Sequence, residues 1–464
     1  MNKVTRILLA IGLILAVATP ALAEFKFNGI YNTKMYTQEK KSSGSDEKGN
    51  SEQFIDQRFR AKLTYTLNDS VAVVYYGEVD TVWGEESKGN IGDGGQVTER
   101  TTGADGVNVE TKNVFLDLKF GDTAATMGIK TTVDAFDGVV FMEDMPGVDV
   151  THKIGGTSLR ALYSKWDEDY ATTTSANTTT GAVSTTAKAD SRGDWDDLDF
   201  YGLEVKQKFG DNFSAGIAAY FKDDNRDNAA NVTVGDKEIY FYGVNADAKF
   251  GNFGLNGFFM MQDGEYDAEA STGDYDIEGM AATVKGTMKL GSGDVGLRVI
   301  YFSEDDDDQD NGRWQGFQGE YFFVNDNQMQ FLVDKYVAND GKEMYAIKDS
   351  VDQGYGLLAF VASGNHKLPS DMYLNWGAGY YMAMDESRDD ESVDSREGDQ
   401  LGYEVCVRFG KKFLEKVDIS LNASYAGYGD FYDNTVDTNG SAAGGLTEDP
   451  DDTYKGYLMV SVPW

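Results

Sequence analysis

One cysteine, two histidines and five prolines in 464 residues remove several classes of protein at the outset. With Cys406 as its lone thiol, the chain can hold no disulfide scaffold, no Cys-rich zinc site and no covalently attached c-type haem. His152 and His366 stand apart, which leaves little material for an imidazole metal cluster. Bases are few beside acids, 41 against 78. Phosphate neutralisation needs basic patches, so nucleic acid is not expected as a partner. Scattered Ser, His and Asp residues offer no nucleophile setting, so no enzyme is expected either. Beyond the first residues there is no long uncharged apolar run, and hence no candidate transmembrane helix. What the chain holds in quantity is Gly (53), Tyr (27), Phe (26) and a formal charge of −37. Such a charge would suit disorder, but 41% hydrophobic and 13% aromatic residues bury too much surface for that.

Lys3 and Arg6 precede the apolar stretch 7–18, and Ala21, Leu22 and Ala23 supply a small-residue cleavage site. This pattern reads as a secretory signal peptide over 1–23, cut between Ala23 and Glu24. Export by the general secretory route follows. The remainder, 24–464, has no Pro- or Ser-rich linker and reads as a single domain.

A short signature recurs along that domain. It occurs as Lys119-Phe120-Gly121-Asp122, Lys208-Phe209-Gly210-Asp211 and Lys249-Phe250-Gly251-Asn252. Looser copies are Lys153-Ile154-Gly155-Gly156, Lys289-Leu290-Gly291-Ser292 and Arg408-Phe409-Gly410-Lys411. Gly-Asp and Gly-Asn supply the positive φ of tight hairpin turns. The stretches beside them alternate with period two. In 53–67, Ile55, Phe59, Ala61, Leu63 and Tyr65 share one face, and Asp56, Arg58, Arg60, Lys62 and Thr64 share the other. Tyr454, Leu458, Val460, Val462 and Trp464 line one face of the last strand. Further short turns are expected at Asn68-Asp69 and Asn325-Asp326. Long polar connections fall between them at 84–107, 131–145, 169–195, 224–236, 264–273, 305–311, 338–352, 385–399 and 429–452. Counting both arms of every hairpin gives about 20 candidate strands.

A soluble sandwich or propeller would bury the apolar faces and wet the polar ones. A transmembrane antiparallel β-barrel does the reverse, with charge facing a water-filled lumen. It must also close, because hydrocarbon offers no partner for an edge N–H. Full charges at mid-strand, aromatic residues near the turns, and alternating short turns and long loops all favour an all-β transmembrane barrel of about 16–20 strands. These features, with a last strand ending in an aromatic residue, resemble the outer-membrane porins of Gram-negative bacteria. The opening run 24–29 and the charged second strand 55–62 are similar to general diffusion porins. Trp464 stands where the family usually ends in Phe, beside Pro463. The family's common 16 or 18 strands place any surplus around 312–362. The resemblance implies an outer-membrane location, a homotrimer, passage of small hydrophilic solutes, and Trp464 as a signal for the outer-membrane assembly machinery.

In porins a long loop folds into the lumen, and 131–145 is the candidate here. Its acids Asp134, Asp137, Glu143 and Asp144 would face lumen bases placed by strand parity: Arg58, Arg60, Lys62, Lys119, Lys130, Lys153 and Arg160. Opposed ladders of this kind sort solutes by size, charge and dipole. The same bases can also pair with Asp56, Asp117 and Asp149 inside the barrel. Acidic runs such as 304–308 and 385–399 read as solvated outer loops. They could gather cations at the mouth, or share divalent cations with lipopolysaccharide. Asp306, Asp308 and Asp310 have the spacing of a calcium loop, but Asn311 and Phe317 break it. No cofactor or dedicated metal site is therefore expected. Cys406 points inward by parity and reads as structural. The function expected is a cation-leaning diffusion channel. The alternatives are an anion-guiding channel, a barrel that sheathes an electron-transfer cytochrome, and, least favoured, a barrel enzyme.

Overall fold

The computed structural model describes residues 24–39, 51–83, 109–168, 172–176, 183–187, 197–225, 235–268, 275–304, 350–351, 354–385, 398–432 and 452–464. The expected signal segment, the expected Asn325-Asp326 turn, and the acidic runs 305–311 and 386–397 lie outside them. Within the described residues the strands are β1 (Glu24–Glu39), β2 (Ser51–Asn68), β3 (Val71–Val82), β4 (Glu110–Phe120), β5 (Thr123–Val133), β6 (Met142–Ile154) and β7 (Thr157–Glu168). There follow a separate small hairpin, β8 (Thr172–Ala176) and β9 (Val183–Ala187), then β10 (Asp197–Lys208), β11 (Phe213–Asp224), β12 (Gly235–Phe250), β13 (Phe253–Ala268), β14 (Tyr275–Leu290) and β15 (Gly293–Phe302). The chain finishes with β16 (Leu357–Leu368), β17 (Met372–Met382), β18 (Gln400–Phe413), β19 (Val417–Tyr428) and β20 (Thr453–Pro463).

Each strand pairs antiparallel with its neighbour in sequence, except that β7 passes over β8 and β9 to β10. β20 pairs back onto β1, so the 18-stranded sheet closes on itself and leaves no edge in hydrocarbon. The 18 strands of the wall fall within the expected 16–20. Around the ring β15 pairs directly with β16. The small β8–β9 hairpin, in the Thr-rich stretch 171–187, is outside the wall.

Short turns gather at one end of the barrel and long connections at the other. At the outer membrane these ends face the periplasm and the exterior. Six of the short turns lie at the Asn-Asp and Gly-containing pairs that the sequence marks. Gly251, at φ +60, shows why glycine serves there. Two turns escape that signal. One uses Ser370 (φ +61) and Asp371 (φ +60), the other Leu414 (φ +48) and Glu415 (φ +65). Gly410, expected at a turn, instead sits within β18 and faces Tyr373 of β17.

One side-chain parity holds around the whole ring. Phe27, Leu203, Ile217 and Phe250 face outward and are exposed. Tyr163, Tyr201, Phe221 and Tyr240 pack ring to ring across β7, β10, β11 and β12 as part of an outer aromatic belt. Near the turn end, Trp464 packs on Phe27 (4.5 Å) and Phe59 (5.7 Å). Gly29 leaves room for that ring: a Cβ there would lie 2.6 Å from the indole. Backbone bonds of 3.0 Å run both ways between Gly29 and Trp464 and extend the closing seam.

The inward face is not uniformly polar, contrary to the simple reversal that the pattern suggests. On β12 it runs Lys249, Asp247, Asn245 at the turn end, then Gly243, Phe241, Ile239 toward the loops. β16 runs Lys367, Asn365, Ser363, then Val361, Ala359, Leu357. The loop-end half of the wall from β10 to β18 therefore carries a buried apolar cluster inside the barrel. Segments folded inward cover it.

Candidate functional site

The connection between β5 and β6 is the main covering segment. Its ends belong to strands, so the non-strand part of 131–145 is only 134–141. Phe136, Val139, Val140 and Phe141 are fully buried. Phe136 meets Tyr220 of β11 (5.9 Å) and Phe258 of β13 (5.6 Å); Phe141 meets Phe200 of β10 (4.9 Å) and Tyr220 (5.3 Å). Those wall residues face inward, so the loop lies inside the barrel against β10–β13.

Polar contacts fix its position. Ala135 N–H donates to Tyr220 Oη at 2.7 Å, and Tyr220 Oη donates to Glu204 Oε1 at 2.7 Å. Asn245 Nδ2 of β12 donates to the Ala135 carbonyl at 3.1 Å, and Arg298 of β15 reaches Asp137 at 3.1 Å. Arg160 of β7 donates to Asp149 (2.9 and 3.1 Å), Glu204 (2.7 Å) and the Val133 carbonyl (2.9 Å). It therefore joins the strand leading into the loop to the wall beside it.

The four acids of this region do not form one acidic edge. Asp134 is buried, and its carboxylate accepts from the backbone N–H groups of Phe136 (2.6 Å), Gly138 (3.1 Å), Val140 (2.6 Å) and Phe141 (2.7 Å). It is the loop's internal clasp. Burial pushes it up to about 6, against those four donors, which pull it down. Asp144 stands in register with Thr131, on the parity opposite Lys130 and Asp149. There Lys112 (2.5 Å), Asn113 (2.8 Å) and Thr131 hold it. Glu143 shares the inward parity of Lys130 and is half-buried. Asp137, at φ +59 with its side chain 43% exposed, is the acid the loop presents toward water.

The seven bases named above all carry the inward parity of their strands. Arg58 grips Asp80 of β3 through Nε (2.8 Å) and Nη2 (2.5 Å), and Arg60 pairs with Glu78. Lys130 lies 3.6 Å from Asp149, which also holds Arg160. Lys62, Lys119 and Lys153 face inward nearer the turn end and have no ion-pair partner among the described residues. In the ring order, β2 and β13 are nine strands apart in either direction. Arg58, Arg60 and Lys62 therefore stand across the lumen from the wall that carries the loop. Sequence reasoning missed Arg298, Tyr220 and Asn245, which anchor the loop. Their inward parity was legible; their contact with a segment over 80 residues away was not.

A family model described as Gram-negative porin matches residues 9–327. The chain belongs to the Gram-negative porin family. This porin is an outer-membrane channel protein for small solutes, and family and fold point to a channel without catalysis. No curated protein sequence matches it. Among solved structures it is similar to OccK1 (OpdK) of Pseudomonas aeruginosa, at 10% identity and TM-score 0.53 over 95% of this chain and 98% of that one. It is also similar to OccK9 (OpdG) of the same organism, at 12% identity and TM-score 0.54 over 95% and 99%. A BenF-like porin from Pseudomonas fluorescens Pf-5 has 12% identity and TM-score 0.51 over 96% and 99%. At these identities the likeness is one of fold.

Proposed function

We propose that this porin passes small hydrophilic anions, guided by a basic wall that faces an inward-folded loop. The observation that carries the reading is the placement of Arg58, Arg60 and Lys62 on β2, opposite the loop-bearing wall, with Lys130 and Arg160 farther around the ring. Arg58 and Arg60 keep partners on β3, yet a paired charge that lines water still contributes to the local potential. Lys62 adds positive charge with no paired acid among the described residues. The loop narrows the passage and contributes one exposed acid, Asp137, already engaged by Arg298. This favours anions over the cation preference suggested by overall charge. Small organic carboxylates are the solutes to try first, since the similar channel OpdK was crystallised with vanillate.

A homotrimer, contact between outer loops and lipopolysaccharide, and recognition of Trp464 by the assembly machinery belong to the same reading through the porin family. Conductance in planar bilayers under a salt gradient tests it. An anion-leaning reversal potential that moves toward cations in Arg60→Gln/Lys62→Gln is the expected result. A cation-leaning potential unaffected by those changes would return the reading to the acidic outer loops. Absence of any conductance from folded protein would favour the sheathing barrel.

A further inference from the structure

The recurrent Lys-Phe-Gly-Asp signature does more than make turns. Lys119, Lys153, Lys208, Lys249, Lys289, Lys367 and Lys412 end β4, β6, β10, β12, β14, β16 and β18. Each has the inward parity of its strand and is exposed to the lumen. Each also makes the same backbone bond, its N–H donating to a carbonyl in the turn next door. The acceptors are Ser70 (2.8 Å), Asp122 (3.0 Å), Gly156 (2.9 Å), Asn212 (2.8 Å), Asn252 (2.9 Å), Ser292 (3.4 Å) and Asp371 (3.0 Å). That shared bond puts the seven lysines at one level, as a collar around the turn-end mouth.

Three features make the collar electrostatically effective. None of its lysines has an ion-pair partner among the described residues. The nearby lumen acids are held by other groups: Asp247 by Lys206 (2.8 Å), Asp294 by Asn365 (3.0 Å), and Asp418 by Tyr373 (2.6 Å) and Arg408 (3.6 Å). Asp117 stands as a single acid one inward position above Lys119. Spacing is the third feature. Successive collar residues sit on alternate strands, about 10 Å apart from the inter-strand distance. That is about one Debye length at ~0.1 M salt, so their fields overlap. Asp69, Asp122, Asp211, Asp371 and Glu415 add acids to five turns beyond the ring. The turns after Lys153, Lys249 and Lys289 carry none; Lys289 stands in register with Asp294, so the collar is strongest at Lys153 and Lys249.

We propose that this lysine collar is a second anion-binding station, at the periplasmic mouth, that takes small multivalent anions such as pyrophosphate. It rests on the lumen being the water-filled channel proposed above. It adds a separate site at the opposite end from the loop.

Pyrophosphate added to one compartment of a planar bilayer tests the station. The expected result is block of single channels from one side only. That block should weaken roughly tenfold or more in Lys153→Gln/Lys249→Gln/Lys289→Gln and persist in the triple Lys→Arg variant. Equal block from both sides, or block unchanged in the Gln variant, would overturn the collar while leaving the channel intact. Calorimetric titration of inorganic pyrophosphate into detergent-folded barrel reads the same site without any current. Heat lost in the Gln variant supports the collar, and equal heat overturns it. A shift in mobility on heating, checked on a detergent gel, shows that each variant is folded.

Discussion

Tyr220 Oη lies 2.7 Å from both the Ala135 N–H and Glu204 Oε1, so one phenol links the inward loop to the barrel wall. Tyr220→Phe keeps the ring that packs on Phe136 and Phe141 but strands a buried N–H and removes a donor to Glu204. A buried donor left unsatisfied costs about 1–3 kcal/mol. That loss should fall on loop docking rather than on the closed sheet. The expected outcome is noisier or larger single-channel current with little change in the temperature at which the folded gel band disappears. A large fall in that temperature with unaltered current would show that the phenol serves the wall instead.

Asp134 titrates near the edge of the physiological range. Its folded value, about 6, lies above the usual carboxylate value of 3.8. Between the two the folded protein holds more protons than the unfolded chain, so this group's contribution to stability falls as pH rises from about 4 to about 6. Asp134→Asn removes the titration and supplies one acceptor oxygen where the carboxylate has two. The variant should therefore be less stable overall and show a flatter stability profile across that window, measured by denaturant unfolding of detergent-folded protein at successive pH values.

The Arg58–Asp80 pair separates net lumen charge from local geometry. Arg58→Gln should move the reversal potential toward cations, and Asp80→Asn should move it toward anions. In the double variant, where both charges go together, the potential should return close to that of the parent. If the double variant instead matches Arg58→Gln, the guanidinium acts through a specific contact with solute.

At the seam between β1 and β20, Gly29→Ala should hinder closure, since its Cβ would lie 2.1 Å from the Arg60 carbonyl and 2.6 Å from Trp464. Trp464→Ala loses two aromatic contacts, worth about 0.5–1.5 kcal/mol each. Both variants should give less heat-modifiable folded protein on refolding, with Gly29→Ala the worse, because its obstacle is backbone and cannot rotate away.

Much of the barrel is legible in the chain, because period-two alternation and Gly pairs are local signals. The turns at Ser370-Asp371 and Leu414-Glu415 are not, since they put non-glycine residues in the left-handed region that a reader assigns to glycine. Alternation alone does not say which strands join the wall: β8 and β9 pair only with each other, outside the 18-stranded ring. The lumen bases follow from parity alone. The acids do not, because Asp134 turns its carboxylate onto its own loop and Asp144 crosses to the other parity. Both choices depend on partners distant in sequence or on burial. The apolar inner face is visible once one looks for it: Ile239-Tyr240-Phe241-Tyr242 is apolar on both parities, which a strand facing lipid on one side and water on the other would not be.

The two ends of this pore differ, with packed apolar cover near the loops and an open ring of lysines at the turns. A passive pore cannot use that difference to drive net flow, because at equilibrium the rates in the two directions must balance whatever the shape of the path. What it sets instead is residence. An anion crossing this barrel would spend most of its transit beside the lysines, so the concentration inside the periplasmic vestibule would exceed that in the solution on either side.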